Sequence, residues 1–183
     1  MSRSHQKMPD AVFSLLSPTL ESFYQNRIKR RPLKHSLRSI ADGVYFIIRT
    51  GCQWKAAPAY YPPPSTLHRH FKQWASNGLL EQFWRKTIEI YHQKVGLRLH
   101  NQYMDGCITK APYGGECTGR NPTDRGKSGT KRSVLVDANG VTLSVTFDGA
   151  NVHDNRLLVE TLEQALMFQN QNTERHIFFG QRL

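Results

Sequence analysis

Pro62-Pro-Pro-Ser-Thr-Leu-His-Arg-His-Phe-Lys-Gln-Trp-Ala-Ser-Asn-Gly78 is the stretch on which the reading of the fold turns. Its prolines lack amide donors and do not sit inside a helix, while the Ser65 hydroxyl can accept from the first free amides of a helix beginning near Thr66. Leu67, Phe71 and Trp74 recur at helical spacing and form a packing face, leaving His68, Arg69, Lys72 and Gln73 on the opposite one. Asn77-Gly78 offers left-handed residues that close the helix. A capped helix of about a dozen residues, with cations and amide donors outward, has the size and chemistry to lie in a DNA major groove. The ordinary alternative for a basic face is a solvated surface helix.

Upstream, Leu37, Ile40, Ala41, Val44, Ile47 and Ile48 follow helical spacing and stop at Gly51, so a helix is expected over Leu33 to Thr50. Gln53 to Pro58 has room for a turn or two only. Long helix, short helix, turn and exposed basic helix is the order of a helix-turn-helix unit. Further upstream, Val12, Leu15, Leu16, Leu20 and Phe23 suggest a short helix and a second turn, divided at Ser17-Pro18. Arg27-Ile-Lys-Arg30-Arg31 concentrates four cations before Pro32. Such a run is commonly a solvated linker, and a phosphate-contacting arm would look the same.

Downstream, Leu80, Phe83, Trp84, Thr87, Ile88, Tyr91 and Val95 make a helical stripe from about Leu79 to Val95. The texture then becomes strand-like. Gln102 to Ile108 is a short run holding one carboxylate, Asp105, and Ala111 to Gly129 is a glycine-rich loop. Ser133 to Val136 and Val141 to Phe147 flank Asp-Ala-Asn139-Gly140, the pattern of a hairpin with positive φ at both turn residues. Asp154 can cap a helix from Asn155 to about Phe168, with Leu157, Leu158, Thr161, Leu162 and Ala165 inward, and His176 to Phe179 can begin another strand.

Charge divides the chain in the same way. Of the 183 residues, the first hundred hold 16 Lys and Arg against 5 Asp and Glu, and the remainder 9 against 9. An excess confined to one helical region fits a polyanion partner, and DNA fits better than an anionic membrane because the basic helices carry core-like aromatics rather than a broad lipid-facing stripe. Cys52, Cys107 and Cys117 form no Cys-x-x-Cys pair, which argues against a zinc finger and a disulfide framework. With no long apolar run and no signal-peptide core, a cytoplasmic protein is expected.

Asp105 is the carboxylate of interest in the second part. Among Tyr103, Met104, Cys107 and Ile108 it is costly to desolvate unless paired, at the sheet's rim, or bound to metal; a structural hydrogen-bonding role is the common one. Arg120, Arg125, Lys127, Lys131 and Arg132 form a basic loop beside it that could touch phosphate or simply be solvated.

Several stretches together resemble the DDE transposases of bacterial insertion sequences, in particular the IS-five-like group. They are Asp42-Gly-Val-Tyr-Phe-Ile-Ile-Arg-Thr-Gly-Cys-Gln-Trp-Lys55, Pro62 to Trp74, Tyr103 to Thr109, and Lys131 to Asp154 with Val-Asp-Ala-Asn-Gly and a closing Gly149-Ala-Asn-Val-His-Asp. The resemblance covers most of Leu33 to Leu166. It implies a ribonuclease-H-like catalytic fold in which Asp105 is the first ligand of a two-magnesium site, the second Asp and the Glu coming from a later strand and helix.

Asp137, Asp148 and Asp154 sit in a turn, a loop and a helix cap, so none is a good substitute for those two ligands. The expected fold class is α+β: a basic all-α helix-turn-helix domain at 1–100, then the incomplete start of a ribonuclease-H-like α/β domain at 101–183. The expected function is DNA binding in transposition, by an N-terminal half that does not cut alone. The partner is the element's terminal inverted repeats, with a second copy or a downstream-frame half as possible protein partners and Mg2+ as the complete enzyme's cofactor. A non-catalytic regulator competing at the element's ends is the alternative. The residues expected at DNA are Arg69, Lys72, His68, Gln73, Arg30, Arg31, Lys127, Lys131 and Arg132.

Overall fold

The structure, a computed structural model, describes residues 7–28, 32–165 and 176–179. It divides into two compact units, Met1–Ile90 and Tyr91–Leu183.

The first unit is helical. Helix α1 (Asp10–Ile28) runs unbroken through Pro18, where the sequence suggested a division. A proline inside a helix costs about 3 kcal/mol or more. Leu16, Leu20 and Tyr24 recur every fourth residue and are all buried. Burying each contributes roughly 1.5 to 3 kcal/mol, so packing outweighs the lost hydrogen bond.

Helix α2 (Leu37–Thr50) begins later than the apolar spacing alone suggests, because Ser36 caps it and accepts from the Ser39 amide at 3.2 Å. It ends at Gly51, whose φ of 65° is left-handed and whose amide donates to Ile47 O at 2.9 Å. A 3-10 turn (Trp54–Ala56) leads to α3 (Pro64–Ser76). Ser65 does not cap α3. Pro64 occupies the first turn, where its missing amide is no loss, and the Thr66 and Leu67 amides donate to Pro63 O at 2.8 and 3.1 Å. At the far end only Gly78 is left-handed, with φ 68°, since Asn77 keeps φ at −99°. Helix α4 (Leu79–Lys94) follows.

Leu67 and Trp74 of α3 lie in one core with Leu16 and Leu20 of α1 and Ile40 and Val44 of α2. Helices α2 and α3 meet closely where Gly43 leaves room for Leu67. Asp42, also buried, ties the chain ahead of α1 to α2. Its Oδ1 accepts from the Met8 amide (3.1 Å) and from Arg38 Nε (3.0 Å), while Arg38 also donates to Met8 O and to Asp10 Oδ1, each at 2.6 Å. Partial burial works to lower the Arg38 pKa, but the hydrogen bonds and charges of Asp10 and Asp42 raise it, so this cation stays charged at any working pH.

The second unit is a five-stranded sheet with a helix on one face. Strand β1 (Asn101–Lys110) pairs antiparallel with β3 (Ser128–Asp137), whose outer edge carries β2 (Gly119–Arg120) and then β4 (Thr142–Gly149). After α5 (Asp154–Ala165) the chain returns as β5 (His176–Phe179), parallel to β1. The glycine-rich stretch is thus shorter as a loop than the sequence suggested, because β3 starts at Ser128 and recruits Gly119-Arg120. Met104, Leu135 and Leu143 of the sheet form a core with Ala165 of α5. On the other face Tyr103 and Phe178 stack at 5.3 Å and remain half exposed.

The hairpin lies where the sequence put it, with different turn geometry. Only Gly140 has positive φ, 79°, and the three-residue loop is closed by Asp137 N donating to Val141 O at 2.9 Å. Asp137 is wholly buried and accepts from the amides of Asn139 and Val141 through Oδ1 and of Arg98 through Oδ2. Asp154 is the first residue of α5 rather than its cap, and His153 Nδ1 accepts from the Asn155 amide at 3.2 Å. The expected extension of this helix to Phe168 lies outside the described residues.

Candidate nucleic-acid interface

Helix α3 presents His68, Arg69 and Lys72 to solvent, as the spacing predicts, with Gln73 half buried. His68 is not simply outward, because its ring meets Trp54 edge-on at 4.9 Å. The inward face has a member that the apolar pattern does not reveal. His70 is 4% exposed, and its Nδ1 lies 2.5 Å from the Tyr24 hydroxyl, which also accepts from Trp74 Nε1 at 3.0 Å. The phenol thus links the indole of Trp74 to the imidazole of His70. Three buried polar groups on α1 and α3 thereby fix how α3 is rotated, and so which side chains it displays.

In the second unit Asp105 sits mid-way along β1, opposite Val134, exposed, with Oδ1 accepting from the Gly106 amide at 2.8 Å. It borders a cavity of about 280 Å3 shared with Lys131, Arg132, Ser133, Asp154 and Phe179. Lys131 and Arg132 are strand residues of β3, not loop residues. Lys131 is buried, and its Nζ donates to Val152 O at 2.7 Å and pairs with Asp154 Oδ1 at 2.9 Å, so its charge is already engaged. Arg132 is exposed and donates from Nε to Cys107 Sγ at 2.7 Å. Lys127 lies in the loop, 3.5 Å from Asp124. Arg30 and Arg31 fall outside the described residues.

Residues 8–84 match a family described as "Putative transposase of IS4/5 family". A curated protein of Burkholderia cepacia, "Putative transposase for insertion sequence element IS402", is 41% identical over 56 residues. This part of the chain is similar to insertion-sequence transposases. The aligned stretch is 31% of this chain and 26% of that relative, so the chain spans about a quarter of the protein it matches.

Transposases of this kind imply divalent metal, and the cavity at Asp105 is where the residues can be tested for it. Two carboxylates, Asp105 and Asp154, line it together with two cations, and Asp154 is paired to one of these. A pair of magnesium ions takes several converging carboxylate oxygens and no competing ammonium. Among the described residues no three His, Cys, Asp or Glu side chains are grouped to hold a metal, so this donor set does not fit a pair of divalent ions. No helix among the described residues is long and apolar enough to cross a membrane.

Proposed function

We propose that this chain acts in transposition of an insertion sequence, binding the element's terminal inverted repeats through its helical unit. The observation that carries the reading is the display of Arg69 and Lys72 on α3, whose opposite face is locked by the Tyr24, His70 and Trp74 contacts. The first hundred residues supply the field, with 16 basic against 5 acidic side chains. In this reading α2, the 3-10 turn and α3 serve as a helix-turn-helix, and α3 enters the major groove.

The second unit is read as the opening of a ribonuclease-H-like fold. Three antiparallel strands followed by a helix and a strand parallel to β1 fit that reading, as does Asp105 on β1. The cavity beside Asp105 favours a second reading, a regulator that occupies the ends without cutting them, because two cations, Lys131 and Arg132, share its lining with Asp105.

The test is fluorescence anisotropy of an end-bearing duplex with the 183-residue chain. Arg69→Ala or Lys72→Ala should weaken binding by about 1 to 3 kcal/mol where the contact is to a base edge. Both variants, folded, binding as the parent does would return α3 to a solvated surface helix.

A further inference from the structure

The segment ahead of α2 and the first two turns of α3 enclose a cavity of about 340 Å3 that the major-groove reading does not use. Lys34, His35, Thr66, Arg69 and His70 supply its polar lining and Ile40 part of its floor. Among the described residues no carboxylate lines it. Neither Lys34 nor Arg69 takes part in an ion pair among the described residues, in contrast to Arg38, which is spent on Asp10 and Asp42.

We propose that this cavity is a phosphate-binding site. Two cations brought to one concave place with no anion beside them among the described residues repel each other, and a multiply accepting oxyanion relieves that repulsion while satisfying their donors. The Thr66 hydroxyl adds a neutral donor. The size suits a tetrahedral anion with several waters, each water taking about 30 Å3.

Resting on the DNA-binding reading, the ligand is a backbone phosphodiester that positions the duplex while the outer face of α3 meets bases. The same chemistry admits a free phosphate. Arg69 then belongs to the phosphate site, and Lys72, which does not line it, serves as the control on the same helix.

The experiment titrates the 183-residue chain with inorganic phosphate at constant ionic strength by calorimetry, and with duplex DNA by anisotropy, in the parent, Lys34→Gln, Arg69→Gln, Thr66→Val and Lys72→Gln. Thr66→Val alters no charge and keeps the side chain's shape, so it reads the site even where a charge variant misfolds. Lys34→Gln and Arg69→Gln should weaken phosphate about tenfold or more, and Thr66→Val about fivefold, the equivalent of one neutral hydrogen bond. Lys72→Gln should leave phosphate binding unchanged and weaken DNA alone.

Competition between phosphate and DNA identifies the backbone as the source. Phosphate binding with no competition keeps the site and overturns the backbone assignment. DNA binding by the parent that Lys34→Gln and Thr66→Val leave intact, with no phosphate binding, overturns the site and leaves the DNA-binding reading standing. Phosphate binding by a chain that binds no DNA does the reverse.

Discussion

Replacing Gly43 by alanine tests whether contact with α2 sets the position of α3. A β-carbon at Gly43 would lie 2.7 and 2.9 Å from the Leu67 methyls and 3.4 Å from Cγ, closer than van der Waals contact. Leu67 is 0% exposed, so its methyls can give way only by shifting within a packed core. Overpacking of this kind costs about 1 to 3 kcal/mol. Alanine in a helix interior recovers roughly 1 kcal/mol over glycine, so the net loss should be about 0 to 2 kcal/mol. The sharper test is the same substitution in a Leu67→Ala background, which by itself should cost about 2 to 5 kcal/mol. There the clash is gone, so Gly43→Ala should stabilise by about 1 kcal/mol through helix propensity and by whatever part of the cavity it fills. The sign of the effect reverses between backgrounds, a coupling of about 1 to 3 kcal/mol. Urea unfolding followed by tryptophan fluorescence measures it, because Trp54, Trp74 and Trp84 all lie in Met1–Ile90 and report the helical unit alone. An equal effect of Gly43→Ala in both backgrounds would refute the reasoning.

Trp74→Ala should destabilise the same unit by about 3 to 5 kcal/mol, since it empties a buried aromatic site and strips the Tyr24 hydroxyl of its indole donor, and a smaller loss by urea unfolding would mean the helix is not anchored there. Asp137→Ala should unfold the hairpin end of the sheet more readily than Asp137→Asn, because alanine orphans the amides of Arg98, Asn139 and Val141 whereas asparagine keeps one acceptor oxygen, and hydrogen exchange at those amides would rank the two. Magnesium should raise the melting temperature of the parent and of Asp105→Asn equally; a rise in the parent alone would mean that the cavity takes the ion despite Lys131 and Arg132. DNA affinity should fall steeply as salt rises, with a log-log slope reduced by about one in Lys34→Gln, and a flat salt dependence would remove phosphate contacts from the account.

The fold was legible where pattern and packing agree. The spacing of Leu67 and Trp74, the stop at Gly51 and the hairpin at Gly140 each follow from a local rule whose partner lies within a few residues. It was misread where a distant partner decides. Pro18 stays helical because Leu16, Leu20 and Tyr24 are buried by other helices. Asp137, set aside as a turn acid, has a partner at Arg98, 39 residues away in sequence. Lys131 read as a loop cation for want of any local sign that Asp154 would pair with it. His70 carried a signal that could have been used: it falls between Leu67 and Trp74 on the inward face, where a polar residue needs a partner.

A division of labour within the helical unit follows from where these residues lie. The stretch that carries the family resemblance, Asp42 to Lys55, contributes structure. Asp42 holds Arg38 and the Met8 amide, Gly43 admits Leu67, Gly51 ends α2 and Trp54 braces His68 and Phe71. Gly43 and Trp54 meet α3 directly, Asp42 and Gly51 shape the α2 against which it packs, and none requires a nucleic acid. Arg69 and Lys72 project from the surface they support, with no packing role to constrain them, so their identity can change what is bound without changing the fold. Substitutions at Asp42 or Gly43 should therefore lower stability and DNA affinity together, whereas Lys72→Gln should lower affinity alone. Loss of affinity in a Gly43 variant whose unfolding curve matches the parent's would break that separation, because it would mean α3 had shifted at no energetic cost.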